Sequence, residues 1–333
     1  MWILESNMKL PDRKLIILSK SNTNFDYGKR PEDRDIKEHL NYGVINLDKP
    51  AGPTSHEVTA WVKKILKVKK AGHGGTLDPK VSGVLPITLV ESTKLVKILL
   101  NADKEYVCIM RIHNDFSQNE ISDVLSKFIG NIYQKPPVKS AVKRRLRTRE
   151  IYAINLLEID NRDILFSVRC EAGTYIRKLC HDIGEVMGYG AHMVELRRIK
   201  SGIFDESTVS TLHNLIDAYA FYIEDGREDF LRKSIISVEV AVGHLPKIVV
   251  RDGAVDALCH GADLAIPGIV KLDSELEIGM EVAIMTLKGE LIAIGNSLMD
   301  VERILIEEKG IAVRTKRVIM KRSTYPRHWG KQN

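Results

Sequence analysis

Between Met1 and about Leu40 the chain is polar and broken, and its one apolar run, Leu15 to Leu18, has no periodic neighbours to bury it. That pattern predicts an arm, residues 1–40, that must lie on another part of the molecule. From Tyr42 the texture changes. Val44 to Leu47 reads as a short apolar strand. After the turn Lys49-Pro50-Ala51-Gly52-Pro53, Thr54 or Ser55 can cap a helix with Val58, Trp61, Val62, Ile65 and Leu66 on one face and Lys63, Lys64 and Lys67 on the other. Strand-like runs recur at Glu105 to Ile112 and Ile164 to Glu171, with helical spacing at Glu120 to Phe128 and Tyr175 to Met187. This alternation lacks the steady rhythm of a doubly wound sheet, so the class is α+β. Glu224 to Asp229 forms a solvated acidic turn. After Leu245-Pro246 short strands with Gly-containing turns take over, as in Met280 to Leu287, Lys288-Gly289 and Glu290 to Ile294, which predicts a hairpin of a small β barrel. The expected division is the arm, a first domain over 41–245, a second over 246–321, and a loose basic tail over 322–333.

Composition narrows the class. The 333 residues are 44% hydrophobic and 28% charged, which excludes disorder over most of the length and suits two domains with cores of their own. Lys and Arg total 50 against 44 Asp and Glu, a net +6 that leans toward an anionic partner without naming one. Cys108, Cys170, Cys180 and Cys259 contain no C-x-x-C pair, which argues against a zinc ribbon, an iron–sulfur cluster or a dithiol centre and predicts buried, reduced thiols. The start MWILESNMKLPDRK lacks a basic segment followed by a long apolar run, and no stretch approaches the ~18 apolar residues of a membrane span. A reducing, aqueous compartment and no membrane are expected.

Where the charge sits says more. Lys135 to Arg149 holds seven basic residues and no acidic one, flanked by Tyr133 and Tyr152; Arg314 to Asn333 again holds seven and none, with Tyr325 and Trp329 interleaved. With Lys63 to Lys70 these make three basic surfaces. Basic residues that neutralise phosphate, interleaved with aromatics that stack on bases, fit irregular or single-stranded RNA.

For chemistry, the Gly72-His73-Gly74-Gly75 loop is no phosphate cradle, because no Lys-Ser/Thr pair follows its glycines, and the dinucleotide spacing also fails. His56-Glu57 lacks the second histidine of a zinc protease, and the deaminase pattern is missing, so metal catalysis has no ligands. One carboxylate remains: Asp78 in the glycine-rich loop, its backbone held extended by the following Pro79. Its bland alternative is an Asx turn. Farther on, Ala172 to Arg177 turns a strand into a helix and sets Tyr175 and Arg177 in the first turn, where a cation is disfavoured by the helix dipole and an anionic partner explains it.

The segments VINLDKPAGPTSHEV, AGHGGTLDPKVSGVLP, KEYV, AGTYIRKLCHDIG and ELRRIKSGIF, in that order, resemble the TruB-type pseudouridine synthases, and KPPVKSAVKRRLRTR with TYPRHW resembles the dyskerin branch of that family. The similarity runs from about Glu38 to Trp329. It implies isomerisation of uridine to pseudouridine within RNA, with no cofactor and no metal, the base being cut from C1′, rotated and rejoined through C5. The second domain resembles a PUA pseudobarrel.

The resemblance assigns roles residue by residue. Asp78 matches the catalytic aspartate, acting at sugar or base; Arg177 matches its arginine partner, holding it ionised in a dry pocket. Tyr106 matches the tyrosine that stacks on the flipped base. Tyr175 and Leu196 match pocket-lining residues, and His73 matches a histidine that touches RNA beside the loop. Lys49 and Pro50 match a buttress of that loop. After Tyr106 the sequence departs from the stand-alone enzymes: Arg111 to Phe116 leads quickly into a helix, without their T-D-T-x-D-like segment, which puts independent recognition of a transfer-RNA T-loop in doubt. In the dyskerin branch an H/ACA guide RNA selects the uridine in ribosomal RNA, and small accessory proteins hold the particle, with the chain as a monomer in it. Lys139, Lys143, Arg144, Arg145 and Arg147 would then form the thumb loop over substrate RNA. His260, Gly261, Arg314, Lys316 and Arg317 would hold the guide, and the arm would pack on that same domain. The short tail after Trp329 is of archaeal type, with a cytoplasmic location. Two other readings stay open: a guide-free transfer-RNA T-loop synthase, and a non-catalytic RNA scaffold, against which Asp78, Tyr106 and Arg177 together weigh.

Overall fold

Two β-sheets organise the computed structural model of the chain, which describes residues 11–136 and 143–327. In chain order the first strands are β1 (Leu15–Ile17), β2 (Gly43–Lys49), β3 (Ala71–His73), β4 (Ser82–Leu89), β5 (Lys104–Ile112) and β6 (Gly130–Gln134). Then come β7 (Arg147–Asp160), β8 (Asp163–Cys170), β9 (Ala191–Ser201), β10 (Phe204–Asp205) and β11 (Ile236–Ser237). The ten-stranded sheet runs β11-β2-β4-β9-β5-β8-β7-β6, with β3 added to β4 and β10 to β9. Strand β5 alternates: Lys104, Tyr106, Cys108, Met110 and Ile112 point inward while the residues between them are less buried, the period-two signature of a pleated strand. The four cysteines are buried and free.

One joint in this sheet is unusual. Strands β4 and β9 are parallel and share only two register pairs, Ser82 with Arg197 and Gly83 with Arg198. Gly83 has φ +102°, and a Cβ there would lie 2.2 Å from the Arg198 carbonyl oxygen, so only glycine lets the two backbones approach this closely.

Five helices matter for the site: α1 (Ile36–Asn41), α2 (Ser55–Ile65), α3 (Val96–Asn101), α4 (Gln118–Lys127) and α5 (Ile176–Met187). Helix α2 starts at a reciprocal capping box in which the Thr54 hydroxyl accepts from the Glu57 amide and the Glu57 carboxylate accepts from the Thr54 amide. Its buried row is Ser55, Val58, Thr59 and Val62, continued by Leu66. Trp61 does not share the apolar face expected for it: it stands at the margin of this narrow row and is 44% exposed.

The basic run also corrects the sequence reading. Strand β7 begins at Arg147, so Arg147 and Arg149 pair with Gln134 and Ile132 of β6 instead of standing in a loop. The charges there alternate along a sheet margin, a pattern that reads as polar and aperiodic when only apolar residues are followed.

The second sheet contains β12 (Lys247–Val250), β13 (Leu264–Ala265), β14 (Ile269–Asp273), β15 (Glu281–Met285), β16 (Leu291–Ser297) and β17 (Ile311–Val318). Its order is β1-β14-β12-β15-β16-β17-β13. The arm joins as an antiparallel edge strand, Leu15 opposite Asp273 and Ile17 opposite Lys271. It attaches through backbone pairing more than through apolar burial, since Leu15 and Ile17 remain exposed and only Leu18 packs on the core.

A buried ion pair ties the arm to both sheets. Arg34 donates to the two Glu239 carboxylate oxygens at 2.8 and 2.7 Å, and Glu239 also accepts from the Leu291 amide at 3.0 Å. The Arg34 guanidinium lies 4.7 Å from the Tyr42 ring centroid as well.

Candidate active site

Asp78 stands in the connection between β3 and β4, at the parallel joint, and several backbone groups on each side of it are held. The Gly74 amide donates to the Pro86 carbonyl at 2.8 Å, and Arg198 donates to the Gly75 carbonyl at 3.1 Å. Ser55, at the start of α2, both accepts from the Leu77 amide at 2.8 Å and donates to the Leu77 carbonyl at 3.1 Å. Past the aspartate, the Pro79 carbonyl accepts from the Gly52 amide at 2.8 Å. The Lys49 ammonium, fully buried, donates to the carbonyls of Pro50 (2.9 Å), Pro79 (3.1 Å) and Val81 (2.8 Å). Pro50 itself is exposed and contributes only its backbone. Burial pushes the Lys49 amine down from its ordinary range, and the Asp78 carboxylate opposes this. The loop is thus braced on both sides of a side chain that projects freely.

Arg177, in the first turn of α5, meets the Asp78 carboxylate through its Nη2. The pair is not in a dry pocket: the two side chains are 54% and 53% exposed, because one projects from a loop and the other from a helix start instead of from the sheet interior. Behind Arg177, Tyr175 is the residue preceding α5 and has no side-chain cap of its own. Gln134, buried at the end of β6, accepts from the Tyr175 amide at 2.9 Å and donates to the Tyr175 carbonyl at 3.2 Å.

Tyr106 lies deeper, 8% exposed, with its Cα opposite Arg198 on β9. Two residues along each strand, Cys108 faces Leu196, so Tyr106, Arg198 and Leu196 share one side of the sheet. Tyr106 and Leu196 belong to the apolar cluster that also contains Leu77, Val81 and Ile176. Burial raises the Tyr106 hydroxyl above its ordinary pKa, and the Arg198 charge draws it back. His73, at the end of β3, is half-buried, 4.9 Å edge-to-face from His56, and burial lowers its pKa.

The structure therefore gathers Asp78, Arg177, Tyr106, Tyr175, Leu196, His73 and Lys49 around one joint, and places the remaining expected residues elsewhere. Lys143, Arg144 and Arg145 are exposed just before β7, Arg147 opens that strand, and Lys139 and Trp329 lie outside the described residues. On the second sheet, the Thr315 amide donates to the Asp263 carboxylate at 2.9 Å and the Thr315 hydroxyl donates to the Ala262 carbonyl at 2.8 Å. Those two bonds knit the exposed His260-Gly261 turn to β17, beside exposed Arg314, Lys316 and Arg317. Gly261 has φ +90°, with open space where a side chain would go.

Three further residues at the site were not singled out from sequence: Ser55, Lys104 and Arg198. The Lys104 ammonium donates to the carbonyls of Leu99 (2.9 Å), Leu100 (3.2 Å) and Ala102 (2.5 Å), closing the end of α3, and burial brings it down to about 7. Arg198 is 1% exposed. The signal available was alternation: Leu196 and Arg198 are two apart, as are Lys104 and Tyr106, so each cation shares a face with an assigned site residue. Among the described residues no cluster of three or more His, Cys, Asp or Glu could hold a metal, and no helix is long and apolar enough to cross a membrane.

Comparison with known proteins covers nearly the whole chain. Residues 63–176 match the N-terminal domain of the TruB family of pseudouridylate synthases, and residues 177–243 match the tRNA pseudouridylate synthase B C-terminal domain. Residues 246–319 match the PUA domain and residues 5–59 the DKCLD domain. The probable tRNA pseudouridine synthase B of Methanothermobacter thermautotrophicus is 54% identical over 314 residues, 94% of this chain and 97% of that protein. The protein of the same name from Pyrococcus horikoshii is 56% identical over 316 residues, 95% of each. Among solved structures, a chain of an H/ACA ribonucleoprotein bound to a substrate RNA containing 2′-deoxyuridine superposes with a TM-score of 0.89 at 52% identity, covering 98% of this chain and all of that one. A chain of a Cbf5-Nop10-Gar1 complex superposes equally well at 55% identity, covering 97% of this chain and 98% of that one.

Proposed function

The chain belongs to the TruB family of pseudouridylate synthases, and on that premise we propose that it isomerises chosen uridines of ribosomal RNA as the catalytic subunit of an H/ACA ribonucleoprotein. The observation that carries this is the superposition of nearly the whole chain, arm and second sheet included, on a protein bound in such a particle.

In the reaction the C1′–N1 bond breaks, a C1′–C5 bond forms, the C5 proton leaves and N1 gains one, so nothing is oxidised and no group is donated. Asp78, the one carboxylate projecting from the braced loop, acts on the target nucleotide, and Arg177 fixes its direction. The substrate must leave its stack to reach that carboxylate, and RNA laid over the cleft supplies the dryness that the free chain lacks. Tyr106 and Leu196 form the inner wall, Tyr175 the wall beside α5, and His73 occupies the rim; Lys49 and the Pro50 carbonyl hold the loop.

Guide RNA and small accessory proteins of the Nop10 and Gar1 kind complete the particle, in which the chain is a single copy. Lys143, Arg144, Arg145 and Arg147, with Lys139, face the substrate strand. His260, Gly261, Arg314, Lys316 and Arg317 hold the guide through phosphate contacts and close backbone approach. The functional division is an arm over 1–40, a catalytic unit over 41–245, a guide-holding unit over 246–321 and a basic tail over 322–333. A cytoplasmic location belongs to this reading.

The relatives, probable tRNA pseudouridine synthases by name, favour a second substrate, transfer RNA, which the chain would modify without a guide. Tritium release from carbon-5-labelled uridine separates the two. Release only from guide-paired RNA, with guide and accessory proteins present and lost in Asp78→Ala, supports the guided reaction. Equal release from transfer RNA by the bare chain moves the guide-free reading first, and no release despite guide binding leaves a scaffold.

A further inference from the structure

Three cations lie buried around the Asp78 loop, Lys49, Lys104 and Arg198, and none forms an ion pair among the described residues. Lys49 and Lys104 direct their ammonium donors to backbone carbonyls. Arg198 does more. Its Nε donates to the Val84 carbonyl at 2.7 Å and its Nη2 to the Gly75 carbonyl at 3.1 Å, and Tyr106 stands directly opposite it on the neighbouring strand, on the same side of the sheet.

Each of these partners matters. Gly75 and Val84 lie on either side of Asp78, one before it in the loop and one in the strand that follows. Tyr106 belongs to the neighbouring strand. The backbone of Arg198 is itself clamped against Gly83 at the parallel joint, so its side chain leaves from a fixed origin. A guanidinium is planar with donors in set directions, so no contact of this fork can move without the others. Burying an unpaired cation costs several kcal/mol, which an uncharged amide side chain donating to the same carbonyls would avoid.

We propose that Arg198 is the positioning residue that sets Asp78 and Tyr106 in one frame, a single buried guanidinium that holds the loop carrying the carboxylate and stands against the tyrosine on the same side of the sheet. The inference rests on the reading of Asp78 and Tyr106 as the groups that act on the nucleotide. Its positive charge also favours negative charge on the Tyr106 oxygen whenever that oxygen shares or releases its proton.

The test uses the chain assembled with guide RNA and accessory proteins, carrying 3-fluorotyrosine at position 106 as a fluorine probe. In R198M the fluorine titration midpoint rises by about one pH unit or more. The single-turnover rate falls about 10²-fold, whereas substrate RNA affinity stays within about twofold. R198K, which keeps the charge and loses the fork, returns the midpoint most of the way and recovers about tenfold in rate; it also serves if R198M does not fold, its rate then falling about tenfold below wild type with affinity unchanged. An unmoved midpoint or a wild-type rate in R198M overturns the role of Arg198, and a wild-type rate in R198K, which lacks the fork, overturns positioning by the fork. Tyr106→Phe tests the premise separately: wild-type activity there removes Tyr106 from the reaction, whatever the fluorine probe shows.

Discussion

Gln134 holds the backbone of Tyr175 from both sides, accepting from its amide and donating to its carbonyl, although the two residues lie on different elements and 41 positions apart. The glutamine ends β6, directly before the basic connection, and the tyrosine directly precedes the helix that presents Arg177. The position of Arg177 is thereby coupled to the strand end from which the basic connection leaves. Gln134→Leu leaves both Tyr175 backbone groups without that partner and should cost about 1 to 3 kcal/mol in stability. We expect about a tenfold loss in single-turnover rate with guide-RNA affinity intact; an unchanged rate would show that this strand end and Arg177 are independent.

Asp78→Ala should reduce pseudouridine formation by at least about 10³-fold. Because its ion pair with Arg177 is more than half exposed, the substitution should cost no more than about 1 kcal/mol in stability. Guide-RNA binding should hold within a few-fold. Filter binding beside tritium release checks both, and joint loss of binding and activity would mark Asp78 as a structural residue.

Gly83→Ala places a methyl group 2.2 Å from the Arg198 carbonyl oxygen, at a φ that side chains avoid. It should destabilise the chain by about 3 kcal/mol and slow the reaction further than that loss explains, since the strand bearing Arg198 must shift. Denaturant melts give the first number. A fully folded, fully active variant would mean that the joint is soft.

Arg34→Ala leaves Glu239 in the core with, among the described residues, only the Leu291 amide as a partner and should cost about 3 to 5 kcal/mol. The paired change Arg34→Met with Glu239→Leu should recover much of this. If the single and double variants melt alike, below the wild type, the cost lies in losing the pair itself and not in the stranded carboxylate.

His39, in α1, is buried against the Ile235 carbonyl, and burial lowers its pKa from 6.5 to about 4. The folded value lies below the unfolded one, so the unfolded chain binds the proton first as the solution is acidified. Stability is intact above pH 6.5 and falls between there and pH 4 by about 3 kcal/mol from this residue. His39→Gln should flatten that part of the stability profile, measured by urea melts from pH 4 to 7; an unaltered slope would assign it to other groups.

Particular elements show what was legible in the sequence. Strands β5 and β8 and helices α4 and α5 announce themselves because apolar residues recur with a clear period, and Thr54 marks its helix by pairing with Glu57 three residues on. Strands β7 and β9 do not. RTREIYAINLLEID and AHMVELRRIKS carry charges on faces that turn out half-buried, and β9 places Arg198 inward, where the rule that charges face water fails. Asp78, Tyr106 and Arg177 were singled out through ordered motifs, and the structure sets them near one joint of the sheet. Arg198 stood in one of those motifs too, but its place against the tyrosine depends on the antiparallel pairing of β5 with β9, and its contact with the loop on a parallel pairing between strands about 115 residues apart, neither of which a local pattern encodes.

Strand β1 pairs with β14, near the other end of the chain. During synthesis the arm emerges first and waits roughly 10 to 50 s for its partner at ordinary elongation rates. For that interval three residues with two exposed apolar side chains offer an open edge, and Arg34 has no Glu239 to meet. The nascent chain therefore carries its earliest liability through some four-fifths of its synthesis, and a chain ended before Ile269 would keep the Asp78 loop and the Glu239 partner of Arg34 but leave β1 with no strand to pair with.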